Sequence, residues 1–378
     1  MRSSFICPYC YEKHKVSDCK LTCSYNVSGS LCVNDFTKYP DGVVSPKLMM
    51  KCFDCTCATK YAHCPNVEYL EKGIIPNCYL QSESLSIALA GAKSSGKSNY
   101  IAILINEIRK KMSGNFNCNI NVSADPYTKQ EYDRKYFDPL FKHGRVVDAT
   151  DKGEVRPLIF PLDFDSGKMA TLTFYDTAGE NLDDNKTLET MGRYFKNAHG
   201  IILLFDPLQV SSVREKLKGK MDLPAQNTDA VVILDRLMGM IRGKGKLADS
   251  KKKIDIPLAV VLTKIDVLEK FGLLDESAKA LKRESRHAVN GKFVEADFQA
   301  VDGQVRLFFE YLVDENDHEH EIMSKIKSFK KVGFFGLSSL GDIPKNNRIE
   351  GNIKPRRVLD PLLWFLAQNK YIKTSRFE

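Results

Sequence analysis

The stretch Gly91-Ala92-Lys93-Ser94-Ser95-Gly96-Lys97-Ser98 matches G-x-x-x-x-G-K-[ST] in full. The chemistry of such a loop is phosphate binding. Gly91 and Gly96 let the backbone curl so that its N–H groups point inward at phosphate oxygens. The N-terminus of the helix that follows adds partial positive charge. Gly91, Ser95, Gly96, Lys97 and Ser98 are therefore the candidate phosphate contacts. Lys97 would reach the β- and γ-phosphates, and Ser98 would ligate Mg²⁺.

Two later motifs separate GTP from ATP. Asp176-Thr177-Ala178-Gly179 closes a strand-like run and has the form D-x-x-G. Its Asp would hold Mg²⁺ through a water, and the Gly179 amide would sense the γ-phosphate. Thr263-Lys264-Ile265-Asp266 has the form [NT]-K-x-D. The Asp266 carboxylate can accept from guanine N1–H and the 2-amino group, a pair that adenine does not offer, while the Lys264 stem lies along the base plane. Phe335-Gly336-Leu337-Ser338-Ser339-Leu340 resembles the loop whose backbone N–H receives guanine O6, which makes Ser338 a candidate base contact. Glu180, directly after the D-x-x-G segment, stands where a water-orienting Gln stands in Ras-like enzymes. A Thr for Mg²⁺ and γ-phosphate should precede the strand pair before D-x-x-G. Thr150 is the choice and Thr128 the alternative, while Arg145 and Arg156 flank the segment. Lys97, Thr150 and Glu180 are thus the expected catalytic set.

Ten of the eleven cysteines lie between Cys7 and Cys78. Cys7, Cys10, Cys23 and Cys32 form C-x₂-C-x₁₂-C-x₈-C. Cys52, Cys55 and Cys64 begin a second set that lacks a cysteine at Val67; His63, Cys57 or Cys78 could complete it. Alternatively, Cys7 and Cys10 pair across with Cys52 and Cys55. Either partition reads as closed, structural zinc binding by thiolates in a reducing, cytoplasmic setting.

The elements that must position these residues follow from periodicity. Leu85–Ala90, Gly200–Asp206, Pro257–Thr263 and Lys331–Leu337 are short apolar runs separated by helical patterns. That predicts a mainly parallel sheet with helices on both faces. Arg156–Phe164 and Met169–Asp176 flank Asp165-Ser166-Gly167, a hairpin signature and the source of one antiparallel strand. The expected organisation is a zinc-binding module over 1–80 and an α/β Ras-like GTPase domain over 81–378, with helical insertions and a C-terminal helix within 357–370 that carries Pro361 in its first turn. The longer connections, 206–257 and 266–331, read as solvated helices or as partner-binding insertions. A formal net charge of +8 permits nucleic acid or an acidic membrane surface without requiring either. No run of about 18 apolar residues predicts a membrane span, and the start shows no secretory leader.

Cys7-Pro-Tyr-Cys10, Ile87–Ser98, Tyr175–Glu180, Phe205-Asp206-Pro207 and Leu359–Trp364 together resemble the bacterial double-GTPase family of the translation-factor-related (TRAFAC) clade, in its branch with zinc-ribbon-like N-terminal cysteines. The chain departs from that branch's paired-cysteine pattern at Val67. The resemblance implies a GTPase that uses GTP, Mg²⁺ and Zn²⁺ and serves as a switch in multi-component bacterial systems, conflict or anti-phage systems among them. Its partner would be a protein of the same system. The expected activity is slow hydrolysis of GTP to GDP, with a non-hydrolysing GTP-binding scaffold as the second reading. A zinc-containing nucleic-acid-binding ATPase is disfavoured by Thr263–Asp266.

Overall fold

Alternate residues along the central strands are buried on opposite sides, so each strand needs cover on both faces. The computed structural model describes residues 4–25, 31–33, 59–67, 73–76, 79–80, 83–92, 95–148, 157–174, 185–226, 230–242, 252–313 and 317–377. The N-terminal part supplies β1 (Ser4–Ile6), β2 (Lys13–Lys15), β3 (Lys20–Tyr25), β4 (Leu31–Val33), β5 (Thr59–His63) and β6 (Ile74–Pro76). β1 and β2 form a hairpin, and β4-β3-β5-β6 an antiparallel sheet.

The remainder supplies β7 (Glu83–Gly91), β8 (Cys118–Ile120), β9 (Leu158–Phe164), β10 (Met169–Phe174), β11 (Gly200–Phe205), β12 (Leu258–Leu262), β13 (Phe293–Val294), β14 (Val332–Gly336) and β15 (Thr374–Ser375). Seven of these make one sheet in the order β14-β12-β11-β7-β10-β9-β8. β14, β12, β11, β7 and β10 are mutually parallel. β9 runs against both its neighbours, β10 and β8, and is the single reversed strand. The mainly parallel α/β architecture read from the sequence is the architecture found. β8, too short to leave a pattern, was not foreseen.

Leu85, Ile87, Leu89, Ile202, Leu204 and Val261 face one side, beneath the Lys97–Glu107 and Asp360–Gln368 helices. Ala88, Ile201, Leu203, Val260 and Leu262 face the other, beneath the Asn185–Lys196, Ala230–Arg242 and Glu295–Val313 helices. The insertion helices are therefore amphipathic walls of the core, with Leu234, Leu237, Val301 and Val305 buried. The C-terminal helix lies tight on the sheet: a Cβ on Gly200 would sit 2.3 Å from the Phe365 ring, so only glycine fits there.

The base-side loops are joined by a buried ion network. Arg357 has left-handed backbone, φ 56°. Its Nη1 donates to Asp297 Oδ2 at 2.9 Å and to Asp360 Oδ2 at 2.8 Å, and its Nε donates to Ala280 O at 3.0 Å. Arg283 adds a 2.6 Å bond to Asp297 Oδ1. His287 Nδ1 accepts from Val294 N–H at 2.9 Å, and burial first of all pushes the imidazole below its usual range, so the ring is neutral. Burial works to raise Asp297, but the Arg357 and Arg283 guanidiniums prevail and hold it below the usual carboxylate range. A depressed folded value contributes stability above the unfolded value, about 3.9; that contribution is lost as pH falls through the folded value. Arg357→Met leaves Asp360 without its guanidinium and Asp297 with Arg283 alone, and should cost about 3–5 kcal/mol at neutral pH. In urea titrations the gap between variant and wild type should narrow as pH falls, because without Arg357 burial raises Asp297 and the variant takes up that proton at a higher pH than wild type does; a gap independent of pH would contradict this account.

Candidate functional site

The phosphate loop leaves β7 at Gly91, and the Lys97–Glu107 helix begins directly after Gly96. Gly91 has φ 155°, and a Cβ there would meet Leu204 O at 2.8 Å and Ser95 Oγ at 2.7 Å. Gly96 has φ 91° with open space around it, so backbone conformation, not room, selects glycine there. Lys97 Nζ donates to Gly91 O and Ala92 O, each at 3.0 Å, which folds the cation back over the loop. Ser95 is buried, and Ser98 is half-buried in the first helical turn.

The base side is built on the neighbouring strands. Thr263 leaves β12 with its N–H and Oγ1 both donating to Phe205 O, at 2.9 and 3.0 Å. Lys264 is left-handed, φ 54°, and its Nζ lies 2.6 Å from the fully buried carboxylate of Asp206, at the end of β11. Asp206 also accepts from Leu208 N–H at 3.0 Å. The Lys264 stem is thereby fixed before any ligand arrives. Asp266 lines a cavity of about 440 Å³ together with Ser338, Gly341, Asp342, Lys354 and Arg356. Because β7, β11, β12 and β14 are parallel, the phosphate loop, Asp206, Thr263–Asp266 and Ser338 all emerge at the same edge of the sheet. That edge is where open α/β sheets hold their ligands.

One sequence assignment needs correction here. Ser338 lines the cavity, but its N–H donates to Arg356 O at 3.1 Å and is not available to a base oxygen. Its Oγ accepts from Gly341 N–H at 2.9 Å. Ser338 therefore shapes the loop. Arg356, with Nη2 at 2.7 Å from Glu269 and Nη1 at 3.0 Å from Lys282 O, was not foreseen as a cavity residue.

Thr150, Asp176, Gly179, Glu180 and Arg156 lie outside the described residues. The segment leading to Thr150 is described through Asp148, and Val147 N–H donates to Asn99 Oδ1 at 3.0 Å, next to the phosphate loop. The alternative Thr128 is a structural residue. It is fully buried, its Oγ1 donates to Asp125 Oδ2 at 2.7 Å, and it accepts from Ile159 N–H at 2.9 Å.

The cysteine cluster grows from the β1–β2 hairpin. Cys7 N–H donates to Glu12 O at 2.9 Å and Tyr11 N–H to Cys7 O at 3.0 Å, which closes a knuckle between the strands. Tyr9 N–H donates to Cys7 Sγ at 3.3 Å. β5 delivers Cys64 to the same place, with its thiol 3.5 Å from Cys10 Sγ. His14, on β2, brings Nε2 to 3.0 Å from Cys10 Sγ. The four donor atoms of Cys7, Cys10, His14 and Cys64 lie within 4.8 Å of one another, two of the residues buried and two half-buried. Cys10 is the acidic thiol: hydrogen bonds from Cys64 and then Cys7 pull it far down, whereas burial pushes Cys7 up.

Four sulfur and nitrogen donors converging in this way fit one tetrahedral d¹⁰ cation. Cys64 therefore sits with Cys7 and Cys10, and the fourth side chain of this cluster is His14; the second set, which His63, Cys57 or Cys78 was to complete, rests on Cys52 and Cys55. Val67 holds the position of the absent second-knuckle cysteine, in a turn closed by Val67 N–H to Cys64 O at 3.2 Å. Cys52 and Cys55 lie outside the described residues, as do the side chains of Cys23 and Cys32. The spacing Cys10-x₃-His14 on a hairpin was the available signal that His14 joins this cluster.

The Thr128 geometry yields a direct test. Thr128→Val removes two buried hydrogen bonds and should cost about 1–3 kcal/mol in chemical denaturation. Nucleotide affinity of the folded variant should equal that of wild type; a loss of Mg²⁺-dependent affinity would return Thr128 to the site.

The described residues include no helix long and apolar enough to cross a membrane. The model of the Double-GTPase 2 family matches residues 85–307, from the first strand of the large sheet into the Glu295–Val313 helix. A curated relative, the "Putative ESX-1 scaffolding and assembly protein SaeC" of Mycolicibacterium smegmatis, is 27% identical over 310 residues, 77% of this chain and 76% of the relative. Among solved structures, the small GTPase Arl6 (BBS3) of Trypanosoma brucei with bound GppNp is 12% identical. The alignment covers 77% of this chain and 99% of that one, at a TM-score of 0.31. The Ski7 GTPase-like domain of S. cerevisiae, bound to GTP, is 14% identical over 76% of this chain and 50% of that one, at a TM-score of 0.33. Likeness at those scores carries no weight; the family match does, because it spans more than half of the chain and contains the phosphate loop and the Thr263–Asp266 segment. The chain belongs to the Double-GTPase 2 family.

Proposed function

We propose that this protein binds GTP and Mg²⁺ at the sheet edge formed by Gly91–Ser98 and Thr263–Asp266, hydrolyses GTP slowly to GDP, and works as a nucleotide-dependent switch in a multi-component bacterial assembly. The observation that carries the reading is the shared edge: the phosphate loop and the Asp266 cavity open from parallel strands, with Lys264 already pinned to Asp206. Lys97 neutralises phosphate charge. Ser98, and Asp176 through a water, would hold Mg²⁺, which would supply further neutralisation. Thr150 closes over the γ-phosphate, and Glu180 positions the attacking water. A carboxylate at that position adds negative charge near the γ-phosphate, which favours slow turnover until a partner supplies a cation. The relative's name as a putative scaffolding and assembly protein supports a protein partner and also favours the second reading, a non-hydrolysing GTP-binding scaffold whose zinc module docks a partner. Phosphate release over many turnovers separates the two.

Base choice tests the site. Wild type should bind GTP at least about tenfold more tightly than ATP, and Asp266→Asn should weaken GTP by about 1–3 kcal/mol while gaining xanthine nucleotides. Equal affinity of wild type for GTP and ATP would overturn the assignment. The cysteine cluster is read as a structural Zn²⁺ site. Purified protein should carry about one zinc held by Cys7, Cys10, Cys64 and His14. His14→Ala should release it far more readily to chelator than His63→Ala does; the reverse order would restore the original partition.

A further inference from the structure

Residues 338–357, between β14 and the C-terminal helix, form a strap with two fixed ends. At its base Ser338 and Arg356 exchange backbone bonds of 3.1 and 2.9 Å, beside the Asp266 cavity. Gly341 belongs to the same ladder: φ is 84°, and a Cβ there would lie 2.4 Å from Lys354 O. At the tip, Lys345 and Arg348 exchange bonds of 2.9 and 2.8 Å around Asn346 and Asn347, whose φ values are 48° and 59°. Two consecutive left-handed residues are the mark of a type I′ hairpin.

The outer edge of this hairpin carries a third strand. Val146 N–H donates to Asn347 O at 3.0 Å, and Ile349 N–H donates to Gly144 O at 2.8 Å. The next residue, Val147, is tied to Asn99 beside the phosphate loop at 3.0 Å. Gly144–Val147 is therefore fastened at one side to the base-side strap and at the other to the phosphate-side helix. Thr150 lies three residues beyond in the sequence. A nucleotide laid from Lys97 to Asp266 would lie between the two elements that this strand ties together.

Arg145 stands directly opposite Arg348 in the pairing. The bonds flank the pair and do not join it, which makes it the narrow kind of antiparallel pair, with side chains close. Like charges there oppose pairing. We propose that this three-stranded clasp sets how long guanine nucleotide stays bound, and that the Arg145–Arg348 pair holds the clasp below its full strength so that it opens. The proposal rests on the reading of Gly91–Ser98 and Asp266 as the nucleotide site.

The test follows release of fluorescent mant-GDP from the full chain in Mg²⁺ after addition of excess GDP. Arg145→Glu and Arg348→Glu each create an opposite-charge pair and should slow release about two- to fivefold. The double variant, Arg145→Glu with Arg348→Glu, restores like charge and should return close to the wild-type rate. Val146→Pro deletes the bond to Asn347 O and should speed release about tenfold. Thermal melts check that each variant is folded; should Val146→Pro not fold, the charge cycle decides alone. Single variants at the wild-type rate, or a double variant slowed as much as the singles, overturn the clasp. Wild type that binds GDP with release indifferent to these changes sinks only the clasp, whereas wild type that binds no guanine nucleotide sinks the site reading with it.

Discussion

The base-side half of the molecule depends on a single buried guanidinium. Arg357 bridges Asp297, at the start of the longest helix, and Asp360, at the start of the C-terminal helix. It does so from a left-handed backbone that costs a non-glycine residue free energy, and such conformations persist only where the surroundings over-determine them. The segment of residues 280–286, which joins two short helices, hangs from the same network through Ala280 O, Arg283 and Arg286 N–H. Arg356 is the adjacent residue, so the network also fixes the end of the strap that shapes the cavity around Asp266.

On the phosphate side the comparable constraint is steric. Leu204 O and Ser95 Oγ crowd Gly91 from the neighbouring strand and from the loop itself, and the register of β7 with β11 places them there. Sheet pairing and loop shape are thus one constraint. A slip of β11 along β7 would move Leu204 away from Gly91 and release the curl on which phosphate contact relies.

The parallel strands were legible because burial on both faces leaves uninterrupted apolar runs, and the β9–β10 hairpin because Asp165-Ser166-Gly167 is turn chemistry, realised with Gly167 at φ 80°. The phosphate loop was legible because its glycines are dictated by backbone geometry. What escaped depends on contacts remote in sequence. Cys64 joins Cys10 across 54 residues, and only the pairing of β3 with β5 brings it there. The occupied Ser338 amide depends on Arg356, invisible from the local motif. Asn346-Asn347 was a visible turn signal, but nothing in the sequence told which strand would lie along its edge. The helices of the long connections are visible in the sequence but read there as solvated or as partner-binding insertions, because their amphipathic faces do not announce what they pack against.

The N-terminal module and the large sheet trade residues. Tyr11, just past the knuckle, is buried in the core of the large domain with its ring 5.0 Å from that of Tyr194, and Asn197 Nδ2 donates to Tyr11 O at 3.0 Å. In return Ile159, from β9, is buried within the cluster of Phe5, Cys7, Cys64 and Tyr79. The composition changes near residue 80, yet a side chain from each part lies in the core of the other. A large-domain fragment cut there would carry an open pocket beside Tyr194 and a bared Ile159, and the released module would present Tyr11 to water. The two parts are interlocked like mortise and tenon, and they are best handled as one body.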